Sequence, residues 1–130
     1  MKTSFAVAGA VLMIGLNAMG GEPIKNVLTD IPYADDHLGK RQLVDEKHLL
    51  VMQVALKPGQ QVPQHNANSN VYLLVVEGQI MVTLEGKDTV ATKGDILPIA
   101  FKTLMGIRNV SKENASFLIL KSPNPSEMKP

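Results

Sequence analysis

Three histidines and no cysteine limit what this 130-residue chain can do chemically. Without a cysteine there is neither thiol catalysis nor a thiolate metal site. His37 ends the run Asp35-Asp36-His37, which offers three potential ligands in a row. Adjacent residues on a loop seldom converge on one ion, so this run reads as a solvated turn. His65 closes the polar piece Gln61-Val62-Pro63-Gln64 and opens onto the amide-rich loop Asn66-Ala67-Asn68-Ser69-Asn70. An imidazole beside several amides can grip a polar ligand, and it could supply one ligand to a metal ion. No nucleophile elbow, phosphate loop or paired-carboxylate signature is present. Glu77 and Glu85 fall at corners and read as solvated. Asn109-Val110-Ser111 and Asn114-Ala115-Ser116 fit the glycosylation acceptor pattern, which is short and common.

Elements that could position these residues are short strands. Arg41 to Asp45 and His48 to Leu56 read as a hairpin turning at Glu46-Lys47. In the second of these, alternation places His48, Leu50, Met52, Val54 and Leu56 on one face and Leu49, Val51, Gln53 and Ala55 on the other. Both faces are mostly apolar, as expected of a strand between layers or inside a barrel. Pro58-Gly59 ends it. Gln61 to His65, Val71 to Val76, Gln79 to Leu84, Lys87 to Thr92, Ile96 to Ala100, Met105 to Asn109 and Ser116 to Lys121 complete the set. About nine short strands with frequent turn signals predict an all-β, antiparallel sandwich, jelly roll or barrel. Asn and Ser favour the loop after His65 because their side chains bond nearby backbone.

Two stretches also carry a family resemblance. One runs from Gly59 through His65 to Gly78, and the other from Gly94-Asp95 to Asn109. Together they resemble the cupin superfamily, whose first motif is G-x5-H-x-H-x3,4-E-x6-G and whose second is G-x5-P-x-G-x2-H-x3-N. In this register Ala67 stands where the second His belongs and Val71 where the Glu belongs. Met105 stands in place of the second motif's His, Ala100 in place of its Pro, and Lys102 in place of its Gly. The resemblance covers residues 40–121 and implies a single cupin-type jelly-roll β-barrel.

Family members typically hold a divalent ion with three His and one Glu inside the barrel, and of those positions only His65 is kept. One imidazole and one thioether are too few for a stable zinc, manganese or iron site. The resemblance therefore implies a metal-free barrel, with copper(I) on His65 and Met105 as the exception a soft ligand allows. His48 would add a third ligand if its strand lies near. Alternatively, the chain is a metal-dependent cupin enzyme, of dioxygenase or isomerase type, using His65 with unconventional ligands. Without metal, the mouth is apolar with His65 as a polar fixture. Gln53, Asn66, Asn68, Asn70, Tyr72, Thr83 and Met105 are the other groups expected to line a small-molecule site there. A filled interior, with His65 bonded to a neighbour, is an equal reading.

The first residues suggest export. Lys2 precedes the apolar run Phe5 to Leu16, and Ala18-Met19-Gly20 has the small-residue spacing of a cleavage site. A membrane span needs about 20 apolar residues, more than this run supplies. Residues 1–20 are therefore expected to be a signal peptide and the protein periplasmic or secreted. Residues 21–39 read as an irregular extension, 40–121 as the barrel and 122–130 as a proline-rich, extended or disordered tail. The full chain has 13 basic and 12 acidic side chains. Losing Lys2 leaves 12 against 12, a balance without an electrostatic footprint for nucleic acid or a membrane surface. Exposed strand edges on a small barrel predict a two-fold homodimer, with the segment before Arg41 free to cross to its neighbour.

Overall fold

Glycine and polar turns divide the chain into nine strands among residues 24–129, the part described by the computed structural model. They are β1 (Gly39–Glu46), β2 (Leu49–Leu56), β3 (Gln61–Asn66), β4 (Asn70–Glu77), β5 (Gln79–Leu84), β6 (Lys87–Thr92), β7 (Ile96–Ile99), β8 (Leu104–Arg108) and β9 (Ala115–Ser122). Five form one antiparallel sheet in the order β1-β2-β9-β4-β7, and four form another in the order β3-β8-β5-β6. Neighbours in sequence are often not neighbours in the sheet, as the jelly roll requires. The all-β, single-domain expectation holds, and each strand lies within two residues of its sequence-derived bounds.

Alternation explains the core. Val71, Leu73 and Val75 of β4 face Ile80 and Val82 of β5, Met105 and Ile107 of β8, Val54 and Leu56 of β2, and Phe117 of β9 in one buried cluster. Ile119 packs against it from β9. Phe117, Leu56, Leu73, Ile80 and Ile107 are among its largest fully buried side chains, so apolar groups fill the space between the sheets. Burying such side chains supplies about 1.5–3 kcal/mol each, the main drive for a domain without disulfides.

Motif residues hold the corners. Gly78 has φ +73°, and a Cβ there would come within 2.3 Å of the Asn114 carbonyl oxygen, so only glycine fits between β4 and β5. Asp95 accepts from the Thr92 backbone N–H at 2.9 Å, and its own carbonyl accepts from Val75 N–H at 3.0 Å. Lys102, standing where the family motif has glycine, takes φ +76°. The corner thus keeps the glycine-like backbone without the glycine, at a steric cost for an L residue.

Two terminal segments differ from a simple barrel. Residues 24–38 are irregular, as expected, and they fold back over the outer face of β2. Arg41 ties them down by donating to the carbonyls of Asp30 and Asn26, both at 3.1 Å. The tail is not an extended or disordered end. Buried Asn124 donates to Asp45 Oδ1 at 2.7 Å and to the Glu46 carbonyl at 3.2 Å, and it caps a 3-10 turn, Pro125–Glu127. Three prolines suggested a loose end; one asparagine docks it on the β1–β2 turn.

Candidate functional site at the barrel mouth

The ladder between β3 and β8 is interrupted by a bulge at Pro63-Gln64, after which His65 lies directly opposite Met105. Directly paired residues in an antiparallel ladder project to the same face. Met105 is in the core cluster with Ala67 and Val71, each 2% exposed. His65 is exposed above them, at the rim. Its Nδ1 lies 2.9 Å from the Pro63 carbonyl, which can only accept, so Nδ1 is the donor in this contact.

Val71 is opposite Lys121 on β9, and Lys121 is opposite Leu50 on β2. Lys121 therefore continues the inward row Ala115, Phe117, Ile119, and is half-buried at the end of the barrel. Its Nζ donates to Asn68 Oδ1 at 3.0 Å. Burial, and secondarily the nearby Lys40 ammonium, hold its pKa below the ordinary lysine value. Lys40 is opposite Val54, on the same face of the sheet. Sequence reading passed over both lysines. The signal that could have found Lys121 is the alternation Phe117-Ile119-Lys121, which puts a charge on an otherwise apolar row.

Several residues expected at the mouth lie elsewhere. Gln53 is fully buried, but on the outer face of β2: its Nε2 donates to the Val27 carbonyl (2.8 Å) and Ser116 Oγ (3.0 Å), and its Oε1 accepts from Arg41 Nε (2.9 Å). It fastens residues 24–38 to the sheet. Tyr72 alternates with Val71 and Leu73 and so points outward, 41% exposed. Thr83 is opposite Gly106, outside the barrel, and donates to Asp88 Oδ1 at 2.6 Å. The parity of the strands, uncertain from sequence where bulges intervene, decides all three. Asn66 stays near the rim but donates to the Lys102 carbonyl at 3.0 Å, and Asn70 donates to the Ser122 carbonyl.

His48 lies in the β1–β2 turn rather than in the strand, 3.3 Å from Glu46, with a largely exposed side chain. Asp35 pairs with Lys57, which holds its carboxyl below the usual range, and Asp36 pairs with His37 at 3.5 Å; the run is a solvated turn. The corner glutamates are less idle than expected. Glu77 accepts from the Tyr33 hydroxyl, and Glu85 accepts from Leu104 N–H at 2.8 Å. Asn109 is buried at 1% exposure and donates to the Leu56 and Glu113 carbonyls, so it is a structural hub.

Residues 52–121 match the cupin domain family. The chain belongs to the cupin superfamily. An uncharacterised protein of Methanocaldococcus jannaschii is 31% identical over 88 residues, covering 67% of this cupin and 76% of that protein. The crystal structure of an rmlc-like cupin with a double-stranded β-helix fold from that organism superposes with a TM-score of 0.70 at 26% identity, over 82% of this chain and 94% of that one. An uncharacterised conserved protein of Klebsiella pneumoniae gives a TM-score of 0.73 at 18% identity, over 80% and 92%, a likeness of fold alone.

The metal expected of the family does not fit this donor set. Ala67 and Val71 have no donor atom, and Met105 is sunk in the core. Among the described residues no group of three His, Asp or Glu side chains is placed to hold an ion. A hollow of about 760 Å³ is not at the mouth either. It lies on the outer face of the five-stranded sheet, lined by Val27, Leu43, Val44, Val51 and Leu118 among others.

Proposed function

We propose that this cupin is an exported, metal-free binding protein that takes a small molecule at the mouth of its barrel. The reading rests on one observation: three of the four family ligand positions are apolar side chains belonging to the buried cluster. They give the mouth a dry floor, with the ring of His65 and the Lys121 ammonium as its polar groups. Small-molecule sites combine an apolar lining with a few fixed polar groups in this way. Because large side chains fill the barrel, the ligand sits on the mouth and not within it.

Metal analysis of the purified mature protein tests the reading. Far less than one equivalent of iron, manganese, nickel or zinc is expected, and no rise in Tm with these ions, since a ligand selective for the folded state must stabilise it. Stoichiometric iron or zinc that survives dialysis and is lost in His65→Ala would overturn it. Copper(I) is included because His65 and Met105 are cross-strand partners.

Its protein partner is a second copy of the chain. The five-stranded sheet is apolar on its outer face too, where Leu74, Leu118 and Leu120 are half-buried and Ile96 is 62% exposed. Residues 24–38 cover part of that face, held by Gln53 of β2 at Val27 and by Glu77 at the end of β4 at Tyr33. Isologous pairing would cover the remainder. Light scattering should give a dimer mass, and Ile96→Glu a monomer; a monomeric wild type refutes this.

A further inference from the structure

We infer that the hollow on the outer face of the five-stranded sheet is a second ligand site, separate from the mouth, and that it takes a small amine with an apolar body. A bulge builds it. The β1–β2 ladder pairs Gln42 with Met52 and then Val44 with Val51, which leaves Leu43 without a rung. Alternation would send Leu43 and Val44 to opposite faces, yet both line the hollow together with Val51 and Leu118. Bulges re-aim side chains in this way, and they are frequent beside functional sites. Residues 24–38 supply a further wall through Val27. That wall is fixed: the Val27 carbonyl accepts from Gln53 Nε2 at 2.8 Å, and the Asn26 carbonyl from Arg41 Nη2 at 3.1 Å. Gln53 is 0% exposed, so this tie is made inside the protein and the hollow is preformed.

Size and charge choose the occupant. A volume of about 760 Å³ falls in the range of small-molecule sites, roughly 300–1,000 Å³. The five apolar side chains offer a ligand only hydrocarbon. Of the charged residues around them, Lys25 and Asp45 offset each other formally, and Glu46 is left over. Glu46 is opposite Leu49, two rungs from the Val44–Val51 pair, so its carboxylate is on the hollow's side of the sheet. An ammonium on an apolar body would set its charge at Glu46 and its hydrocarbon on the floor, whereas a carboxylate on the same body would meet like charge. The Glu46 side chain is 60% exposed and 3.3 Å from His48, so the preference for a cation is modest. β1 and β7 are opposite edges of the sheet, which separates this site from the dimer contact at Ile96.

NMR titration of the mature protein tests this with three probes that share a naphthyl body: naphthylmethylamine, naphthalenemethanol and naphthylacetate. The amine should shift the methyl resonances of Leu43, Val44, Val51 and Leu118 and saturate, leaving the His65 ring resonances unmoved. The alcohol should bind about two- to fivefold more weakly, and the carboxylate more weakly still. Glu46→Gln, an exposed change, should remove the difference between amine and alcohol while leaving the alcohol's binding intact. Val44→Trp should fill the hollow and abolish binding of all three; should that variant fail to fold, Glu46→Gln decides. Binding should survive Ile96→Glu, because the hollow lies within one chain. Carboxylate binding as tight as the amine's, or an amine preference that persists in Glu46→Gln, would overturn the amine assignment. Binding lost in Ile96→Glu would overturn a site within one chain. Shifts at His65 in place of these methyls, or no shift with any probe, would overturn the second site.

Discussion

Gln53 is where sequence and structure make opposite claims, so Gln53→Ala is the sharpest perturbation available. Alternation left it free to line a ligand site, whereas the structure fastens residues 24–38 with it. Truncation strips a donor from the half-covered Val27 carbonyl and an acceptor from Arg41 Nε. Ser116 Oγ keeps its bond to the Val54 carbonyl at 2.9 Å, so its loss is partial. An unsatisfied buried group costs about 1–3 kcal/mol, and Val27 is at the low end because water can reach it. The void left by a side chain at 0% exposure adds on the order of 1 kcal/mol. A total of about 2–3 kcal/mol follows. With a urea slope of about 1–3 kcal/mol/M for a small protein, the midpoint should fall by roughly 1–2 M. The assay is urea unfolding of the mature protein. A loss below about 0.5 kcal/mol, typical of surface changes, would refute the strut.

Three further outcomes are expected. Lys102→Gly should stabilise, because relieving a left-handed L residue gains about 1–2 kcal/mol and glycine's extra chain entropy takes back about 0.5–1; a lower urea midpoint would count against it. Tyr33 is held neutral well above its ordinary pKa of 10.0, by burial first and by the Glu77 acceptor second. Its contribution is therefore whole below about pH 10 and is lost as pH rises beyond the unfolded value, so the Tm gap between wild type and Tyr33→Phe should shrink above pH 10; a constant gap would exclude this linkage. Val71→Glu places a carboxylate opposite Lys121 and should raise the lysine's pKa, readable by NMR; a Lys121 titration unchanged from wild type would show that the two side chains do not meet.

Much of the fold was legible because its signals are local. Pro58-Gly59, Glu77-Gly78, Glu85-Gly86 and Lys93-Gly94-Asp95 mark corners by backbone chemistry alone, and the alternation between them needs no tertiary knowledge. The motif register was legible for the same reason, and the φ of Lys102 bears it out: a position read as glycine's keeps glycine's conformation. The site was harder. Whether Gln53, Tyr72 and Thr83 face in or out depends on strand parity relative to the other sheet, and a single bulge, such as that at Pro63-Gln64, inverts it. His48 slipped from strand to turn by one residue, which removed it from consideration as a ligand. Lys121 was missed for the converse reason: a charge at the end of a strand is usually solvated, and only the pairing with Val71 shows it turned inward.

The apolar residues at the mouth and the lysine beside them belong to one argument. A site built from three imidazoles and a carboxylate must desolvate those groups, and only a bound cation offsets the cost. With Ala67, Val71 and Met105 instead, those three positions bury no polar side chain, and they add to the core that a disulfide-free domain needs. Positive charge at the mouth is then carried by Lys121 rather than by an ion. An ammonium attracts an anion and donates hydrogen bonds to it, but unlike a metal ion it has no vacant orbital with which to bind and activate oxygen. On the proposed reading, therefore, the mouth keeps a hydrogen-bond donor for a ligand and does without the metal Lewis acid of the family pattern.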